Sequence, residues 1–130
     1  MISSKYVDTV LGIAPNAEGE KYREAIAKRS FYHAFHYDSF RNLYYRIALP
    51  KSRYINPDNT KTQYHERDFT IMVIDSAFNL LEEKYFKGTE YAFHNIIIVK
   101  EGLLINKLPE VRMPEAAYRN TSFELFKLDI

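Results

Sequence analysis

Residues 17–48 contain one glycine, Gly19, and no proline, and Pro50 closes the run. Nothing inside this stretch obliges the backbone to turn, so its spacing predicts one long helix. Asn16 supplies an N-cap, and Glu18 and Glu20 suit the positive end of the helix dipole. With Arg29 set at zero and a helical step of about 100° per residue, His33 falls near about 40° and His36 near about −20°. Tyr22, Ile26, Phe40, Leu43 and Ile47 lie within about 60° of the same line. The stripe destined for the core thus holds three polar groups, which burial would oblige to pair.

The later segments read in the same way. Residues 51–67, "KSRYINPDNTKTQYHER", are polar, carry a Pro57-Asp58-Asn59 turn signal and predict a long exposed loop. Asp68 is placed to cap a second helix, with Phe69, Met72, Val73, Ala77, Leu80 and Leu81 at helical spacing and Gly88 as its left-handed cap. "EYAFHNIIIVKE", residues 90–101, has a β-branched run that suits a strand and flanking Thr89 and Gly102 that suit a helix, and a helix is expected. Pro114 opens a last helix that runs to about Leu128. The expected fold is all-α: one domain, residues 1–130, an antiparallel bundle of four main helices with a long loop after the first.

Composition narrows the function classes. The chain has 130 residues, a formal net charge of +1 and no cysteine. That leaves no global field for nucleic acid or anionic membrane, and no disulfide, thiolate metal site or cysteine nucleophile. No basic, apolar leader opens the sequence, and the longest purely apolar run, "IIIV" at 96–99, is too short to span a bilayer. The expected compartment is the cytoplasm. The four glycines stand singly, so no phosphate-cradling loop is present. His33 and His36, completed by His65 or His94 and Glu66, would make a metal site in a helical bundle. However, "HERDF" departs from His-Glu-x-x-His at Phe69. Arg41, Arg46, Lys51 and Arg53 interleave with Tyr44, Tyr45 and Tyr54, a pattern that suits single-stranded nucleic acid or a cationic helix end.

"AKRSFYHAFHYDSF", residues 27–40, resembles the early helix of HEPN-domain proteins, a nucleotide-binding class. It is most similar to their small prokaryotic branch partnered with minimal nucleotidyltransferases. Arg29, Tyr32, Phe35 and His36 match an "RAYYAMFHAA"-like stretch in place, and His65 matches a histidine after the polar loop. The resemblance implies a dimeric helical bundle in a toxin-antitoxin or defence setting, acting on RNA without cofactor or metal. As a metal-independent endoribonuclease it would use His36 as acid or base and Arg29 to hold the developing phosphorane charge. Tyr32, His33, Tyr37, His65, Arg119 and Asn120 would bind substrate; the late segment has Arg119 followed by Asn120 but no histidine after them. RNA, a cognate protein and a second copy are the expected partners, with no membrane. The alternatives are a non-catalytic helical interaction module whose Arg/His stripe is structural, and a metal-binding bundle.

Overall fold

The computed structural model describes residues 2–7, 19–63, 66–108 and 122–128. It overturns the all-α expectation. One short helix, α1 (Gly19–Ala27), precedes seven antiparallel strands: β1 (Phe31–Asp38), β2 (Leu43–Leu49), β3 (Phe69–Ile74), β4 (Leu80–Phe86), β5 (Tyr91–Val99), β6 (Gly102–Lys107) and β7 (Ser122–Phe126). They form two meanders, β1-β2-β3-β4 and β5-β6-β7. No helix among the described residues is long and apolar enough to cross a membrane.

Strand β2 shows why the helical reading fails. Leu43, Tyr45, Ile47 and Leu49 are buried in one core cluster, while Tyr44 and Arg46 between them are half-buried on the other face. This is a period of two. Leu43 and Ile47, four apart, satisfy both a helical and a strand period, and only the residues between them discriminate. In β1, Tyr32 pairs with Ala48 and Ala34 with Ile47, leaving His33 as an extra, bulged residue. The bulge resets the alternation, so Tyr32 and Phe35 share the outer face at a spacing of three. A strand with a bulge thus imitates helical periodicity.

The two sheets stack face to face. Leu43, Tyr45, Ile47, Phe69, Ile71 and Val73 from the first meet Phe93, Leu103 and Ile105 from the second in one apolar cluster. Each such side chain contributes about 1.5–3 kcal/mol when fully buried. The Arg41 guanidinium clips the sheets together at one end. It pairs with Asp38 at 2.7 Å and donates to the carbonyls of Val99 (3.1 Å) and Lys100 (2.7 Å) in the β5–β6 turn.

The segment 2–7 crosses the outer face of the first sheet. Ser4 donates its N–H to the Tyr32 hydroxyl at 2.9 Å and its Oγ to Glu83, which also accepts from the Lys5 N–H and from Thr70. Arg46 reaches the Ile2 carbonyl at 3.2 Å while lying 3.4 Å over the Tyr32 ring. Residues 50–63 form an irregular loop held by the Ile55–Lys61 bridge.

Gly88 is not a helix cap. A Cβ there would sit 2.0 Å from the Glu66 carbonyl oxygen and 2.3 Å from the Arg67 backbone. The β4–β5 link therefore lies directly on the segment that leads into β3, and its N–H donates to Asp68 at 2.8 Å. Gly88→Ala is expected to force the two backbones apart and lower stability by about 1–3 kcal/mol, read by urea denaturation.

Candidate functional site

The motif segment becomes β1, and its side chains divide between two faces. Phe31 and Ala34 pack toward the core, and Asp38 is fully buried. Tyr32, Phe35 and Tyr37 occupy the outer face. The register sets Tyr37 opposite Tyr44, and Phe35 one step along the same pair of strands. The Tyr44 ring is the hub of an aromatic ladder. Its centroid lies 5.3 Å from Phe35, 5.0 Å from Tyr37 and 5.4 Å from Phe78, with near-parallel planes for Phe35 and Phe78. Phe35, Tyr37 and Phe78 are each more than half exposed, at 52, 52 and 56%. Beside the ladder, an open hollow of about 760 Å³ is bounded by Ile2, Tyr32, Arg46, Phe35 and Phe78.

Phe78 reaches the ladder from the β3–β4 turn at a backbone cost. Asp75 builds that turn, its carboxylate accepting the N–H groups of Ala77 (3.0 Å) and Asn79 (2.8 Å). Those bonds hold the Asp75 carboxyl below the usual carboxylate range, the Asn79 backbone contact acting most strongly and outweighing desolvation. Within the turn Phe78 adopts φ 63°, a left-handed conformation that glycine or asparagine accepts readily and a bulky residue only under strain. Strain of this kind costs of order 1–3 kcal/mol and persists where the surroundings enforce it.

The histidines form a separate feature. The bulge carries the His33 ring to sheet two, 4.8 Å from Phe93 and 5.8 Å from His94, both edge-on, and His94 stacks on Phe93 at 3.9 Å. Burial, followed by repulsion from His36, depresses the His33 pKa below the ordinary imidazole range, so this ring is neutral at pH 7. Arg29, His33 and His36 at helical spacing would share one face; on the sheet, His33 is bulged out and His36 pairs with Tyr45.

Arg29 precedes β1 and its carbonyl accepts from Arg67, so the strand rise sets Arg29 about 20 Å from His36. The helical stripe that joined these two residues does not exist, because the segment is a strand. Of the expected substrate-binding residues, Tyr32 and Tyr37 lie on the outer face and His33 at the seam, while His65, Arg119 and Asn120 fall outside the described residues. No group of three or more His, Asp or Glu among the described residues is arranged to hold a metal ion. Phe78 and Tyr44 were not singled out as a pair from sequence; the turn signature that presents Phe78, Asp75 followed by Asn79, was visible there.

No curated protein matches the chain. A solved structure, the crystal structure of a DUF4221 family member from Bacteroides vulgatus ATCC 8482, is similar at 22% identity with a TM-score of 0.56. The match covers 81% of this chain and 30% of that one, so the chain spans under a third of its relative's length. That likeness supports the β-sheet fold. Residues 2–85 match the family model DUF4221, a domain of unknown function. The HEPN resemblance is thereby corrected: the matching segment is a β-strand of another family, and neither the HEPN fold nor RNA cleavage has support. With well over half of its length matched, the chain belongs to the DUF4221 family.

Proposed function

We propose that this chain is a non-catalytic interaction unit that associates by stacking sheets, its occupant being a second copy docked head to tail. The observation that carries the reading is Phe78, held at φ 63° with its ring more than half exposed and stacked on Tyr44. Spending backbone strain to display an aromatic ring in water is unfavourable for a free monomer and favourable at an interface, where aromatic residues are enriched. The opposite end of the sandwich offers a complement. Ile97, Leu104 and Leu125 align across β5, β6 and β7 by register, with Phe123 alongside. Ile97, Phe123 and Leu125 are 46, 38 and 40% exposed, and none of the four is charged. Beside the segment 2–7 the first outer face is aromatic, and the second is aliphatic apart from Phe123, so docking the second onto the first buries apolar side chains of both sheets. Such an interface is heterologous.

Sedimentation velocity from micromolar to near-millimolar concentration tests this. The wild type is expected to associate. Phe78→Asn and Leu125→Glu are each expected to abolish chain growth, yet an equimolar mixture of the two is expected to give a dimer that grows no further, since each retains one intact face. Asparagine accepts the left-handed backbone, so relieved strain offsets lost stacking and the Phe78→Asn monomer should stay within about 1 kcal/mol of wild type. A wild type that remains monomeric throughout, or variants that fail to complement, overturns the reading.

A further inference from the structure

A second hollow lies beside α1 and shares no lining residue with the first. The C-terminal half of α1, the first residue of β1 and the loop 50–63 enclose a cleft of about 460 Å³, within the range of small-molecule sites. Its walls are of two kinds. Ile26, Ala27 and Phe31 form an apolar side, and Arg23, Lys61 and Arg67 bring positive charge to the lining. Among the described residues the carboxylates nearest this lining, Glu20 and Glu24, are each paired with a lysine, Lys61 and Lys28, which leaves Arg23 and Arg67 as its excess positive charge.

The cations are differently engaged. The Arg67 guanidinium is committed to the structure, donating to the carbonyls of Ile26 (2.7 Å), Arg29 (2.6 Å) and Pro50 (2.6 Å). Lys61 pairs with Glu20, which also accepts from the Tyr54 hydroxyl at 3.2 Å. Arg23 alone of the three makes no hydrogen bond or ion pair among the described residues. It lies one helical turn from Ile26 and Ala27, which places its planar fork, unpaired among the described residues, at the rim of an apolar wall. A guanidinium so placed matches a carboxylate bidentately, and the wall beneath it takes an apolar body.

We propose that this cleft binds a small amphipathic carboxylate, with Arg23 on its carboxyl group and its hydrocarbon part against Ile26, Ala27 and Phe31. The charge imbalance selects the anion, and the apolar wall selects against a bare inorganic one. Neither alone discriminates.

Isothermal titration calorimetry of the full chain with octanoate, octylamine and inorganic phosphate tests the assignment. Octanoate is expected to bind saturably at one site, while octylamine and phosphate do not. Arg23→Gln, on the exposed surface of α1 and so compatible with folding, is expected to weaken octanoate about five- to tenfold. Phe78→Asn, at a residue that does not line the cleft, should leave octanoate binding unchanged, so failure of the sheet-stacking reading and failure of this one are separately visible. Octanoate bound no better than octylamine, or unaffected by Arg23→Gln, overturns the proposal.

Discussion

Arg67→Ala is expected to lower unfolding stability by about 3–5 kcal/mol, since it removes three hydrogen bonds from a charged group at about 1.5–3 kcal/mol each, partly offset by solvent reaching the freed carbonyls. The side chain is 1% exposed, and its two terminal nitrogens serve three carbonyls that come from separate parts of the chain. Ile26 belongs to the last turn of α1, where unpaired carbonyls and the negative end of the helix dipole accumulate. Arg29 lies in the link to β1, and Pro50 follows β2. One guanidinium, 5.1 Å over the Phe31 ring, thus ties the helix end to two strand ends. Truncation leaves three acceptors without this donor, the Pro50 carbonyl buried and the other two part-buried, and opens the inner wall of the cleft. Arg67→Lys should recover only part of the loss, because an ammonium cannot present the planar fork that spans the three oxygens. Urea denaturation with unchanged m-value reads both effects. A loss under about 1 kcal/mol for Arg67→Ala would mean that solvent or neighbouring groups take over these carbonyls.

The same residue shows what was legible in the sequence. Arg67 stood in a polar stretch, "YHERDF", where nothing local marks it as buried; its partners are distant in sequence and no periodicity encodes them. The turns were more accessible. "DSFRN" at 38–42 and "DSAFN" at 75–79 each begin with an aspartate whose carboxylate accepts the N–H two residues on, and each closes a hairpin. Reading the two together would have divided the presumed long helix into β1 and β2, and the presumed second helix into β3 and β4. Pro57-Asp58-Asn59 does turn, with Asn59 at φ 67°. What misled was phase. Bulges at His33 and at residues 93–95 break the alternation of β1 and β5, and β3 is buried on both faces and so has no period at all. The aromatic face is half visible in the sequence: Tyr32 and Tyr37 lie in the motif segment, but Phe78, which stacks on Tyr44 beside Tyr37, comes from another hairpin and is brought near by strand register.

Asp38→Asn is expected to cost about 2–4 kcal/mol at neutral pH and to flatten the acid limb of the stability curve. Asp38 is fully buried at the end of β1, where it accepts from the Tyr45 hydroxyl at 2.5 Å, from Arg41 at 2.7 Å and from the Phe40 N–H at 2.9 Å. Burial by itself pushes its carboxyl pKa up. The Tyr45 bond, then the Arg41 bonds and charge, pull it down, and the net position is below the ordinary 3.8. The same burial and the Asp38 charge push the Tyr45 phenol well above its usual range, so Tyr45 stays a donor at any ordinary pH. The sign follows from the depressed value. Asp38 stabilises the fold fully above the unfolded carboxylate pKa, and the contribution is lost as pH falls below 3.8 and through the folded value. Glu20 and Asp75, both also depressed, add to acid unfolding, so the wild-type curve alone does not isolate Asp38. The difference between wild type and Asp38→Asn does: it should be constant near neutrality and narrow as pH falls through the carboxylate range. The loss should also spread beyond the hairpin. An amide facing Arg41 leaves that guanidinium without its counter-charge, and Arg41 holds the Val99 and Lys100 carbonyls of the other sheet. Amide exchange at the β5–β6 turn should therefore quicken in Asp38→Asn relative to the β3–β4 turn, which Asp75 closes independently. Equal acceleration of both turns would reduce Asp38 to a general stabiliser and remove its role in joining the sheets.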